Sequence, residues 1–199
     1  MKVSEEYKQS TRQKIIEAAG RGFRKHSYGG LGVDGLAKEA GVTSGAFYGH
    51  FKSKDEAFQA ATIQGLIDYR DGVKKFQTEY GDKWISEFLD YYLGEKHRND
   101  LACGCALPGL SADVIRSNDA TKKDYEQALQ EIAVAIADGL PDREIKTAYA
   151  LMSLLSGTVT ITRSVQDNNL ADNLAFAARI AAENLINISA VPELNKSCE

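Results

Sequence analysis

Proline is scarce in this 199-residue chain: only Pro108, Pro141 and Pro192 occur. Runs of alternating apolar and polar residues bounded by turn pairs, which hairpins need, are missing as well, so an all-α fold is expected. Cysteine is limited to Cys103, Cys105 and Cys198. That is too few, and too unevenly spaced, for a disulfide framework, and it fits a reducing compartment. No apolar run reaches the roughly 18 residues of a membrane span, and the start MKVSEEYKQSTRQ has no apolar core of a secretion signal. The expectation is a cytoplasmic protein that makes no contact with membrane. Histidine is limited to His26, His50 and His97. With no nucleophile and base at motif spacing, no phosphate-binding glycine loop and no dinucleotide fingerprint after a strand, the chain is expected to be neither an enzyme nor the carrier of a cofactor.

The charge is divided unevenly. Residues 1–60 hold ten Lys/Arg against seven Asp/Glu, a net +3, while the remainder holds 14 against 21, a net −7. A small basic head on an acidic body suits a protein of which one end meets phosphate.

Hydrophobic spacing predicts a first helix over about Ser10–His26, with Ile15, Ala19 and Phe23 on one stripe, broken by Gly29, Gly30 and Gly32. A short helix is expected over about Val33–Ala40, closed by Gly41 in the left-handed conformation, and a second over about Ser44–His50. Asp55 and Glu56 open a helix reaching about Gln77, placed where their charge suits the helix N-terminus. Further helices are expected at about Asp82–His97, Ala106–Arg116, Ala120–Ala137, Asp142–Gln166 and Ala171–Ser189.

Two short helices joined by Gly41, Val42 and Thr43 have the proportions of a helix-turn-helix. Leu36, Ala37, Ala40, Val42, Phe47 and Phe51 fall where these helices would face the first, forming a small core. Ser44, Gly45, Ala46 and Gly49 remain outside, letting backbone approach DNA, with Thr43, Tyr48, His50, Lys52 and Lys54 as donors for phosphate oxygens. No Arg, Lys, Asn or Gln lies between Ser44 and Gly49, so strong two-pronged base reading from that helix is not expected. Sequence preference would rest on DNA shape, backbone amides and Lys38 or Lys52.

The run IIEAAGRGFRKHSYGGLGVDGLAKEAGVTSGAFYGHFKSKDEAF, within residues 11–58, resembles the N-terminal DNA-binding domain of TetR-type transcriptional regulators, above all in its core GVTSGAFYGHFKSK. The resemblance implies that Thr43, Tyr48, His50 and Lys54 hold the phosphate backbone, with Ser44, Ala46 and Gly45 near base edges. Gly32 stands where the family often has a capping Thr or Ser, so one hydroxyl contact to phosphate is missing. The resemblance further implies two domains: residues 1–54 as the helix-turn-helix head, and residues 55–199 as a larger helical domain for ligand binding and dimerisation. The segments GLGVDGL and GCALPGLSADV look like one large subgroup, with Ala106 where a proline usually sits.

Tyr69, Phe76, Tyr80, Trp84, Phe88, Tyr91 and Tyr92 cluster along two consecutive segments. Such a cluster is either packed core or the wall of a pocket for a small hydrophobic or aromatic ligand, with Met152 and Leu155 opposite; the family implies the pocket. The last two helices are apolar over more than one face, and the family implies a four-helix interface in a homodimer reading pseudo-palindromic double-stranded operator DNA. His97, Cys103 and Cys105 have a spacing unlike structural zinc sites, so no metal is expected. Cys103 or Cys105, near a helix start, is a candidate for redox or electrophile sensing, with buried inert thiols as the alternative.

Overall fold

A computed structural model describes residues 5–189 of the chain, and Cys198 lies outside them. Ten α-helices and no strand are found among the described residues. They are α1 (Glu5–Gly30), α2 (Val33–Glu39), α3 (Ser44–Tyr48), α4 (Lys54–Tyr80), α5 (Trp84–Leu93), α6 (Glu95–Asn99), α7 (Ala106–Val114), α8 (Asp119–Gly139), α9 (Ile145–Thr162) and α10 (Asn168–Ser189).

Three expectations need correction. The first helix is interrupted at Ser27, whose φ of 59° and ψ of 170° are non-helical, and the glycines at 29 and 30 form its last turn. The helix expected over Asp82–His97 is three pieces, because Gly81 takes a positive φ and opens a 3₁₀ turn, and Gly94 is extended after Leu93. The helix expected from Asp142 begins at Ile145, because Asp142 is spent on the preceding turn, accepting from the Glu144 N–H and the Thr147 hydroxyl.

Two compact units are built from this chain. Among the described residues the first comprises 5–69 and 100–129, and the second 70–99 and 130–189. Helix α4 belongs to both.

The core of the first unit joins Ile15, Ala19 and Phe23 of α1 to Leu36 of α2, Phe47 of α3, Phe51, and Phe58 of α4. The anticipated small core is present, with Leu36, Ala37, Phe47 and Phe51 buried and Ala40 and Val42 packed partly buried against them. It extends further than anticipated, taking in Ala106, Leu110 and Val114 of α7. Contact with α7 is close: a Cβ built on Gly65 of α4 would lie 2.5 Å from that of Ala106.

In the second unit α9 and α10 pack along each other and α5 packs against both. Small Ala175, Ala178 and Ala182 of α10 are buried, as are Leu151, Leu155 and Val159 of α9. Arg179 of α10 pairs with Asp90 of α5, and Arg163 donates to the carbonyls of Arg98 and His97 at the end of α6.

Candidate nucleic-acid interface

The turn between α2 and α3 closes by local hydrogen bonding alone. Gly41, at φ 67°, sends its N–H to the Lys38 carbonyl (3.1 Å), and Val42 sends its own to the Ala37 carbonyl (2.9 Å). This is the Schellman pairing of a helix end, with Val42 partly buried in the core beyond Ala37. One residue later Thr43 caps α3, its Oγ1 accepting from the Ala46 N–H at 3.1 Å. The Ser44 hydroxyl donates to Asp34 of α2 at 2.5 Å, tying the two helices together. Nothing caps α2 through a side chain, as Gly32 leads one to expect.

Ser53 receives the Glu56 N–H at 3.1 Å while the Glu56 carboxylate accepts the Lys52 N–H at 2.7 Å. Such reciprocal capping fixes where α4 begins and hence where Lys54 stands.

Helix α3 therefore sorts its residues sharply. Phe47 is fully buried, while Tyr48 is 57% exposed although it is a large aromatic. Thr43, Gly45, Ala46, Lys38 and Lys52 are exposed too, and Ser44, His50 and Lys54 are half-buried. The Lys54 ammonium lies 4.0 Å above the ring of Tyr28, and the Arg12 guanidinium lies 4.7 Å above that of Phe51. The Tyr28 hydroxyl in turn donates to Asp55 at 2.5 Å. Partial burial, that hydrogen bond and the carboxylate charge push the Tyr28 phenol from the ordinary 10.0 up to about 12.

Residues 15–61 match the pattern that defines the bacterial regulatory proteins of the tetR family. Residues 15–61 thus form a DNA-binding domain of the tetR-family type. It is similar to an HTH-type transcriptional regulator encoded in the lacX 3′ region of Lactococcus lactis subsp. lactis, 23% identical over 181 residues, covering 82% of this chain and 89% of that protein. The HTH-type transcriptional regulator TtgR of Pseudomonas putida is 46% identical over 57 residues, 29% of this chain and 27% of that one. Among solved structures, the reduced form of Escherichia coli NemR superposes with a TM-score of 0.76 at 18% identity, over 93% of this chain and all of that one. The chain thus carries the DNA-binding helix-turn-helix of that type in its head.

The residues expected around a ligand are divided between the units. Tyr69 lies in the first, and Phe76, Trp84, Phe88, Tyr91, Tyr92, Met152 and Leu155 lie in the second. Five of the latter form one run of rings, with Phe76 to Phe88 at 5.5 Å, Phe76 to Tyr91 at 5.5 Å, Trp84 to Phe88 at 6.2 Å and Phe88 to Tyr92 at 5.5 Å. Met152 and Leu155 are buried on α9. Trp84 also borders an open cleft of about 600 Å³, where its indole N–H donates to the Gly139 carbonyl at 2.8 Å. Tyr91 is 55% exposed.

His97 faces its own unit, its Nδ1 lying 2.7 Å from the Tyr92 carbonyl. Among the described residues no group of three His, Cys, Asp or Glu is gathered as metal ligands would be. Cys103 is exposed, Cys105 is half-buried at the N-cap of α7, and neither forms a disulfide. Both lie in the electrostatic neighbourhood of the Arg24 guanidinium, which donates to the Ala102 carbonyl at 2.7 Å. Burial lowers the Arg24 pKa, and the two thiols and Asp68 act against that shift.

Sequence reasoning missed the tie from Ser44 to Asp34 and the reciprocal cap at Ser53. The second was readable in the S-K-D-E spacing. It also missed the grouping of Tyr28, Asp55, Asp113 and Thr121 around one cavity, which no local signal could reveal, since these positions come together only through tertiary packing.

Proposed function

We propose that the protein is a dimeric repressor, acting in the cytoplasm, that binds a pseudo-palindromic operator and leaves it when a small organic ligand binds. In this reading residues 1–54 form the DNA-reading domain and residues 55–199 the ligand-binding and dimerisation domain. The observation that carries it is α3, a capped helix that buries Phe47 and leaves Thr43 and Tyr48 facing outward beside Lys52. Tyr48, Thr43, His50 and Lys54 hold phosphates, with Ser44, Gly45 and Ala46 near bases and Lys38 and Lys52 at the rim. Dimerisation is supported by Ile161, Phe176 and Ile180, exposed apolar side chains of α9 and α10. Two such heads would read successive major grooves about 34 Å apart. The ligand, hydrophobic or aromatic, would sit against Tyr69, Phe76, Trp84, Phe88, Tyr91, Tyr92, Met152 and Leu155.

Fluorescence anisotropy of the full chain with DNA from upstream of its own gene, across a salt series and with random competitor, tests the first half. Affinity that survives competitor and falls steeply with salt is expected. Tyr48→Ala weakens binding to every sequence alike; an unchanged affinity sinks the phosphate assignment. Phe176→Glu converts the dimer to monomer in sedimentation.

A second reading keeps the DNA reader and changes the trigger to oxidation or electrophile modification of Cys103 or Cys105. It is favoured by the electrostatic interaction of both thiols with the Arg24 guanidinium. Cys105→Ser separates the two readings, since loss of release by an electrophile supports the thiol trigger and undisturbed release excludes it at that residue.

A further inference from the structure

The first compact unit contains a cavity of about 480 Å³ that lies among the end of α1, the start of α4 and the α7–α8 junction. This volume is in the range of small-molecule sites. Its wall combines two rings with two carboxylates: Tyr28 and Phe58 meet edge to face at 5.3 Å, and Asp55 and Asp113 flank them.

Three features distinguish this wall from ordinary surface. Thr121 is fully buried there, and its hydroxyl has no hydrogen-bond partner, whereas buried hydroxyls are normally bonded. Among the described residues Asp55 and Asp113 each accept only from Tyr28, the first from its hydroxyl at 2.5 Å and the second from its backbone N–H at 2.8 Å. No cation among the described residues pairs with either carboxylate, and Arg116, which also lines the cavity, gives its guanidinium to the Ala112 carbonyl of its own segment. Finally, Ser27, on the rim, holds a backbone conformation (φ 59°, ψ 170°) that glycine alone adopts cheaply, and it sets the position of Tyr28.

We propose that this cavity is an effector site for a small arylalkyl ammonium ion. The ammonium meets Asp113 and Asp55, the apolar body lies on Phe58 and Tyr28, and Thr121 serves a polar substituent. An anion is disfavoured because the wall sets two carboxylates against the single guanidinium of Arg116. A ligand cation at Asp55 competes with the Tyr28 hydroxyl and so disturbs the ring on which Lys54 rests. The effector role depends on the reading of Lys54 as a phosphate contact; the binding site itself does not.

The test uses the full chain and 2-phenylethylamine, with phenylacetate as the oppositely charged control, followed by amide NMR or calorimetry. Saturable amine binding is expected, weakened about tenfold or more in Asp113→Asn, which keeps an oxygen for the Tyr28 N–H, and weakened also in Thr121→Val, which loses no hydrogen bond. No saturation by about 10 mM amine, equal binding of phenylacetate, or full binding by both variants overturns the site. Random duplex DNA provides the second arm: amine should weaken binding by the native chain and spare that by Asp113→Asn. Amine binding that leaves DNA affinity unchanged overturns the effector role. Asp113-dependent amine binding in a protein with no DNA affinity upholds the site and sinks the DNA reading instead.

Discussion

The two compact units put their aromatic residues to different uses. In the first, Phe23, Tyr28 and Phe58 meet one another, and cations cover Tyr28 and Phe51, so ring faces serve both the core and the charged surface. In the second, Phe76, Trp84, Phe88 and Tyr92 run on from ring to ring, and the indole N–H is spent on a backbone carbonyl. The cavity of the first unit lies beside its charge-flanked rings, and the open cleft of the second touches its ring cluster at Trp84. Aromatic clustering alone therefore does not mark a binding space; unpaired polar groups beside the rings are the better sign.

That contrast can be broken most severely at two buried rings. Phe47→Ala and Phe88→Ala should each cost about 3–5 kcal/mol in urea unfolding if both rings are core. A loss below about 1 kcal/mol at Phe88 would mean that the second cluster already borders empty space, which would favour the ligand pocket there. Next comes a pair of glycines on α4. Gly65→Ala should destabilise by about 1–2 kcal/mol, because overpacking against Ala106 outweighs the better helix propensity of alanine. Gly72→Ala meets nothing within 4 Å and should stabilise by about 0.5–1 kcal/mol. Equal effects would show that α7 can give way at Ala106. Thr43→Ala removes the cap of α3 at about 1 kcal/mol, read as a lower urea midpoint. The smallest effect is at alkaline pH. The Tyr28 phenol is raised in the fold, so its contribution to stability is complete below pH 10 and fades as pH climbs through about 12. Tyr80 and Tyr125 are raised as well, so ultraviolet titration should show several late tyrosines, and Tyr28→Phe should remove the component near pH 12.

How much was readable from the sequence followed the range of the forces involved. Gly41, Thr43, Phe47 and Phe51 obey local rules, and the structure puts them where those rules say. Helix existence was readable too, since apolar spacing carries it. The break at Ser27 was not, because a serine gives no sign of a left-handed conformation, and neither was the union of α7 with the head core, which depends on how closely Gly65 and Ala106 approach. Ligand residues were named from resemblance, and clustered rings read alike whether they fill a core or line a pocket.

The five residues of α3 are too few to stay helical by themselves in water. The Schellman closure at Gly41 and the Thr43 cap hold them in shape without DNA. Encounter with the double helix then requires no coupled folding. Its heat-capacity change should be the modest one of a rigid interface, and the entropy of ordering the reader has been spent before DNA arrives.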